Sequence, residues 1–226
     1  MISIYCDGAD LKQMVAYADD ERVEGFTTNP SLCRKAGVTD YREFCLRVLD
    51  VIGDKPVSFE VFADDFPTME RQAKEIASWG KNVYVKIPVT NTQGSPSYDL
   101  IWRLAHDGIK VNVTAVFTPM QCRLAVDALD GTGILSVFAG RIADTGSDPE
   151  RVMRSAKAKI GSEDTLLLWA SAREVYNVKQ AEGCGCDVIT LAPDLIGKLS
   201  GFGRSLADYS LETVRQFHRD AAGYTL

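Results

Sequence analysis

A chain of 226 residues with 46% hydrophobic content can bury a full core, as one large domain or as two small ones. Asp and Glu (31) outnumber Lys and Arg (25), both signs are interspersed and the net charge is −6, which argues against a nucleic-acid partner. No apolar run approaches the ~20 residues of a bilayer span, and the opening residues carry neither a basic segment nor a signal core. A cytoplasmic protein with no membrane partner is expected. Cys6, Cys33, Cys45, Cys122, Cys184 and Cys186 form no Cys-x-x-Cys pair, and His106 and His218 lie far apart. Reduced thiols, no disulfide framework and no metal site are therefore expected.

Short β-branched runs and stretches with a 3.6-residue period alternate along the chain. The first strand, Ile2–Cys6, is followed by a helix over Ala9–Ala18, with Leu11, Met14, Val15 and Ala18 on one side. Strands at Gly25–Thr28 and Val57–Val61 come next, then a helix at Pro67–Trp79. The order continues as strand Val83–Ile87, helix Tyr98–Ala105, strand Val111–Val116, helix Pro119–Leu129 and strand Ile134–Phe138. Helix Pro149–Ile160, strand Thr165–Trp169, helix Arg173–Ala181 and strand Val188–Leu191 complete it. Pro67, Pro119 and Pro149 each stand where a helix would begin. Eight strands in alternation with helices read as an α/β protein of the (β/α)₈ or TIM-barrel class. An open dinucleotide-binding sheet would place G-x-G-x-x-G after the first strand, where Asp7–Gly8–Ala9–Asp10 stands instead. No linker divides the chain, so a single domain over 1–226 is expected. Its last element is an amphipathic helix over about 205–219 that caps the barrel or lies on a neighbouring subunit.

Within Asn82–Pro88, Val83, Val85 and Ile87 form an apolar face, and Lys86 stands on the other face beside Tyr84. Strands of this kind rarely carry an ammonium group, because desolvating the charge is costly. A lysine in a dry pocket can serve as an amine nucleophile toward a carbonyl; one on an edge strand would snorkel to water. Other polar residues gather at strand ends, the reactive face of such a barrel. They are Asp7, Thr27–Thr28–Asn29, Glu60, Asn112 with Thr114, Ser136 and Ser171, with Arg141 and Arg173 just beyond. Asp7 could only open a turn, and Asn29 could only cap a helix. Asn112 and Thr114 could face solvent on an edge, but a closed barrel has none. The arginines could simply hold surface carboxylates.

Gly25–Phe26–Thr27–Thr28–Asn29–Pro30–Ser31–Leu32 resembles the strand-two signature of transaldolases, and Val85–Lys86–Ile87–Pro88 their Schiff-base segment. Ser136–Val137–Phe138–Ala139–Gly140–Arg141–Ile142 resembles S-P-F-V-G-R-I, and Trp169–Ala170–Ser171–Ala172–Arg173 resembles G-A-S-F-R. The likeness runs in order from Ile4 to about Leu199, and the chain length resembles the short branch that includes fructose-6-phosphate aldolases. It implies sugar-phosphate substrates, no cofactor, and a homo-oligomer of five or ten subunits. It implies that Lys86 forms an imine with a ketose phosphate and that Asp7 acts as acid and base. Glu60 and Thr114 would position water, while Thr28, Asn29 and Asn112 would meet the substrate, the asparagines at its hydroxyls. Ser136 and Phe138 would line the pocket, and Ser171, Arg141 and Arg173 would bind phosphate. Glu60, Phe138 and Asn112 follow the transaldolase pattern, where the aldolases carry Gln, Tyr and no asparagine. An aldolase of the same family, acting on fructose 6-phosphate or a sulfonated ketose, is the nearest alternative. A catalytically silent sugar-phosphate-binding barrel is a further one.

Overall fold

The computed structural model describes residues 2–225. Its strands are β1 (Ser3–Asp7), β2 (Gly25–Thr27), β3 (Val57–Glu60), β4 (Val83–Pro88), β5 (Val111–Val116), β6 (Thr132–Val137), β7 (Asp164–Trp169) and β8 (Val188–Leu191). They close a parallel barrel in sequence order, β8 pairing back onto β1, so the fold is the expected (β/α)₈ barrel. The helices are α1 (Leu11–Ala18), α2 (Pro30–Lys35), α3 (Tyr41–Ile52), α4 (Phe66–Ala77), α5 (Tyr98–His106) and α6 (Pro119–Leu129). They continue as α7 (Ala139–Asp144), α8 (Pro149–Ile160), α9 (Asn177–Gly183), α10 (Pro193–Lys198) and α11 (Leu206–Asp220). One compact unit ends at Ile196 and holds the barrel; a second begins at Gly197 and holds α11.

The helix starts follow local chemistry. Asp65, Thr118 and Asp148 accept backbone N–H groups at the first turns of α4, α6 and α8, each of which has a proline there. Thr118 and Gln121 form a reciprocal capping box. Four helices lie outside the expected set: α2, α3, α7 and α10. Only α3 is long enough to carry a period of its own, and its Phe44, Cys45, Val48 and Ile52 are buried behind an Asp40 cap. The helix expected at Arg173 begins at Asn177, because the Asn177 side chain accepts the N–H groups of Arg173 and Glu174 and holds them in a turn.

Alternation along the strands divides two cores. Val83, Val85 and Ile87 face the helical layer and are fully buried. Tyr5, Ile134, Leu168 and Val188 pack with Tyr84, Leu166 and Phe138 inside the barrel. Lys86 follows Tyr84 on that inward face, so the barrel supplies an apolar floor and the strand ends supply a polar mouth. All six cysteines are buried free thiols, and burial pushes Cys6 and Cys122 up to about 12.

Candidate active site

A cavity of about 290 Å³ opens at the C-terminal ends of the strands. It is lined by Asp7, Thr27, Asn29, Pro30, Ser31, Glu60, Lys86, Thr114, Ala115, Ser136, Phe138, Arg141, Leu168, Ala170, Ser171 and Thr190. A larger depression, about 620 Å³, runs along α1 and the 36–40 connection, but it is an open surface groove and none of the strand-end residues reach it. The barrel mouth is the chemically built site.

Lys86 is only 6% exposed. Its Nζ donates to Glu60 Oε2 at 2.9 Å and to the Thr28 carbonyl at 2.8 Å. The valine and isoleucine neighbours seen in the sequence lie on the opposite face of β4, so oxygen atoms surround the amine. Asp7 lies beside this pair. Burial raises its carboxyl above the ordinary aspartate value, with a smaller push from Glu60, against the opposing effects of Lys86 and a hydrogen bond from Thr27. That bond runs from Thr27 Oγ1 to Asp7 Oδ1 at 2.8 Å, and Thr27 Oγ1 also meets Thr190 Oγ1 at 2.5 Å. The threonine pair fixes one carboxyl oxygen of Asp7.

Beneath the cavity, Asn112 is fully buried and uses both ends of its amide. Nδ2 donates to Ser58 Oγ at 2.9 Å, and Oδ1 accepts from Ser136 Oγ at 2.7 Å. Asn112 thus stands under Ser136 and not on the cavity wall. At the end of β5 the register with β6 shifts, and Ala115 adopts a left-handed φ of 58°. This bulge turns both Thr114 and Ala115 onto the wall, at the strain cost of a non-glycine residue in that region. The Thr114 hydroxyl is buried there with no hydrogen-bond partner, an open donor and acceptor at the cavity surface.

Asn29 has the capping role that its residue type allows: Oδ1 accepts from Leu32 N at 3.0 Å, at the start of α2. Its side chain still lines the cavity. Thr28 contributes its carbonyl, while its hydroxyl turns away to Cys33 Sγ at 3.4 Å. Arg141 crosses the Phe138 ring at 5.0 Å and lines the mouth. Arg173 does not line it. Its guanidinium grips both carboxylate oxygens of Asp144, and that pairing holds Asp144 below the usual carboxylate range. Ser171 sits at φ 62°, and its carbonyl presses on Gly140 so closely that a Cβ at 140 would lie 1.6 Å away. No side chain fits at 140. Among the wall residues, Pro30, Ala115, Leu168, Ala170 and Thr190 are not singled out from the sequence. Thr27 lies inside the strand-two signature, and Thr190 is the polar residue of an otherwise apolar strand.

A model of the family described as Transaldolase/Fructose-6-phosphate aldolase matches residues 4–225. This chain belongs to the transaldolase/fructose-6-phosphate aldolase family. A probable transaldolase of Caulobacter sp. (strain K31) is 34% identical, over 98% of this chain and 97% of that protein. A probable transaldolase of Methanococcus maripaludis (strain C5) is 32% identical, over 95% of this chain and all of its own. A solved structure described as native KDPGal superposes with a TM-score of 0.56 over 83% of this chain and 80% of that one, at 15% identity. A mandelate oxidase mutant superposes with a TM-score of 0.55 at 16% identity, over 98% of this chain and 73% of its own. These last two share the fold alone. Family membership makes the lysine–carboxylate mouth the place to look for aldol chemistry. No helix among the described residues is long and apolar enough to cross a membrane.

Proposed function

We propose that the protein is a transaldolase, moving a dihydroxyacetone unit from sedoheptulose 7-phosphate to glyceraldehyde 3-phosphate through an imine on Lys86. The reading places it in the cytoplasm, in the pentose phosphate route. The observation that carries it is the buried Lys86 amine, held by Glu60 and Thr28 in a cavity with Asp7. The Nζ lone pair bonds to C2 of the ketose, and the former carbonyl oxygen leaves as water. Asp7 takes the C4 hydroxyl proton, the C3–C4 bond breaks, and its electrons settle into the imine as a neutral enamine. Without that sink the charge would remain on carbon. The enamine then attacks the second aldehyde, reversing these steps, and water releases Lys86.

Glu60, Asn112 and Phe138 support transfer over simple cleavage, Glu60 and Phe138 from the cavity wall and Asn112 from beneath Ser136. The test is borohydride reduction with fructose 6-phosphate and mass mapping, run beside a comparison of transfer with free dihydroxyacetone release. Reduction is expected to fix a three-carbon adduct on Lys86, and transfer to exceed release. An unmodified β4 peptide removes the imine; dominant release makes the protein a lyase of the same family.

Arg141 and Ser171 are the phosphate contacts best placed at the mouth, whereas Arg173 first has to leave Asp144. Losing a charge-assisted hydrogen-bond pair costs roughly 1.5–3 kcal/mol, or about ten- to hundredfold. Arg141→Ala should therefore raise KM for a phosphorylated aldehyde by that factor and leave an unphosphorylated one nearly unchanged. Arg173→Ala should do less. Steady-state kinetics with the two acceptor types checks both. The reading also includes a homo-oligomer of five or ten subunits, supported by the exposed Leu206, Tyr209, Val214 and Phe217 along α11.

A further inference from the structure

β2 and β3 part company at one rung. Phe26 N donates to Pro56 O, and Thr28 N donates to Ser58 O. A parallel ladder would next send Glu60 N–H to the Thr28 carbonyl. It does not. Glu60 N donates instead to Tyr41 Oη at 2.9 Å, and the Thr28 carbonyl accepts Lys86 Nζ at 2.8 Å. On its other side β3 stays in register with β4, Glu60 opposite Lys86, and Val61 N donates to Lys86 O. The sheet has thus opened on the β2 side of β3 and not on its β4 side, and the amine occupies the opening.

We infer that Tyr41 is a positioning residue: its hydroxyl takes the place of a ladder carbonyl, keeps Glu60 N–H satisfied, and leaves Thr28 O to hold the Lys86 amine. The function assigned to that amine rests on the imine chemistry proposed above. Tyr41 is suited to the task by its position. It is the first residue of α3, fixed behind the Asp40 cap, and its ring packs edge-on to Phe62 at 5.6 Å and against Trp79 at 6.4 Å. Burial keeps the phenol neutral far above the ordinary tyrosine range, so its oxygen remains a hydrogen-bonding hydroxyl at any working pH. The two bonds on Nζ fix rotation about its Cε–Nζ bond and leave one direction for attack on a carbonyl.

Without the hydroxyl, the acceptor that the ladder register offers Glu60 N–H is the Thr28 carbonyl, and closing that rung would draw it from Lys86. Tyr41→Phe keeps the ring and removes only the oxygen. It is expected to lower kcat, and the rate of borohydride-trapped adduct at Lys86, by about tenfold or more, with KM for fructose 6-phosphate within about twofold. Trp79→Phe disturbs the same aromatic packing; it should lower Tm while sparing kcat. A 3-fluorotyrosine at 41 keeps the shape but weakens the acceptor, and should give an intermediate loss; it decides the matter if Tyr41→Phe does not fold. Trapping at the wild-type rate in Tyr41→Phe or in the fluorinated protein overturns the inference. So does a kcat loss in Trp79→Phe equal to that in Tyr41→Phe, which would assign the effect to packing. A wild-type protein that traps no adduct overturns the imine reading itself, a result separate from either.

Discussion

Lys86→Met is expected to abolish transfer, with kcat falling roughly 10⁶-fold or more, the scale of enzymatic rate enhancement at its lower end. Methionine nearly matches the length of the lysine stem but has no amine to form the imine. The same change strands the Glu60 carboxylate, whose side chain is 15% exposed, together with the Thr28 carbonyl. Breaking a buried pair from one side costs about 3–5 kcal/mol, so Tm should also fall. That second effect could be mistaken for the cause of the first. The double variant Lys86→Met with Glu60→Gln separates them, because a neutral amide needs no counter-charge. It should recover much of the lost Tm and none of the activity. Recovery of activity together with stability would mean that Lys86 serves the fold and not the reaction.

The barrel was legible because its signal repeats. Each β-branched run stands alone as weak evidence, but alternation with capped, proline-started helices occurs along the whole chain, and the strands at Val111–Val116 and Val188–Leu191 match the structure at both ends. Helices α2, α7 and α10 have six residues each, too few for a period to emerge. In the site, Lys86, Glu60 and Asp7 stood out because charge within apolar strands needs a reason. Their partners did not. Thr190 reaches Thr27 across 163 positions of sequence, and Tyr41 reaches Glu60 from a helix across 19. Such contacts follow from barrel closure and from the β2–β3 opening, which no local pattern records. Arg173 shows the opposite case. Its residue type and place in the motif suggest phosphate, while Asp144, one turn beyond Arg141 on a six-residue helix, occupies its guanidinium.

Asp7→Asn should trade activity for stability. Its carboxyl is the proposed acid and base, and losing such a group typically lowers the rate by about 10²–10⁴-fold. Asparagine keeps Oδ1, so the bond from Thr27 survives and the cavity stays in shape. The stability change follows from linkage. Burial raises the Asp7 carboxyl in the folded chain above the ordinary aspartate value of 3.8, so between those two values the folded state binds more protons than the unfolded one. The contribution of this group to stability is therefore greatest below about pH 3.8, the ordinary aspartate value, and is lost as pH rises through the raised folded value. Above the raised folded value the wild-type protein carries the desolvation cost of an ionised carboxylate in the barrel mouth, and the amide does not. Tm of Asp7→Asn relative to that of the wild type should rise with pH through the raised folded value, and the difference should be smallest toward pH 4. Melting curves across that range, paired with transfer rates, test both halves. A Tm difference that instead falls as the pH rises would show that the Lys86 amine and the Thr27 hydroxyl more than offset the burial of Asp7, and that the site is held together by the charges it needs for chemistry.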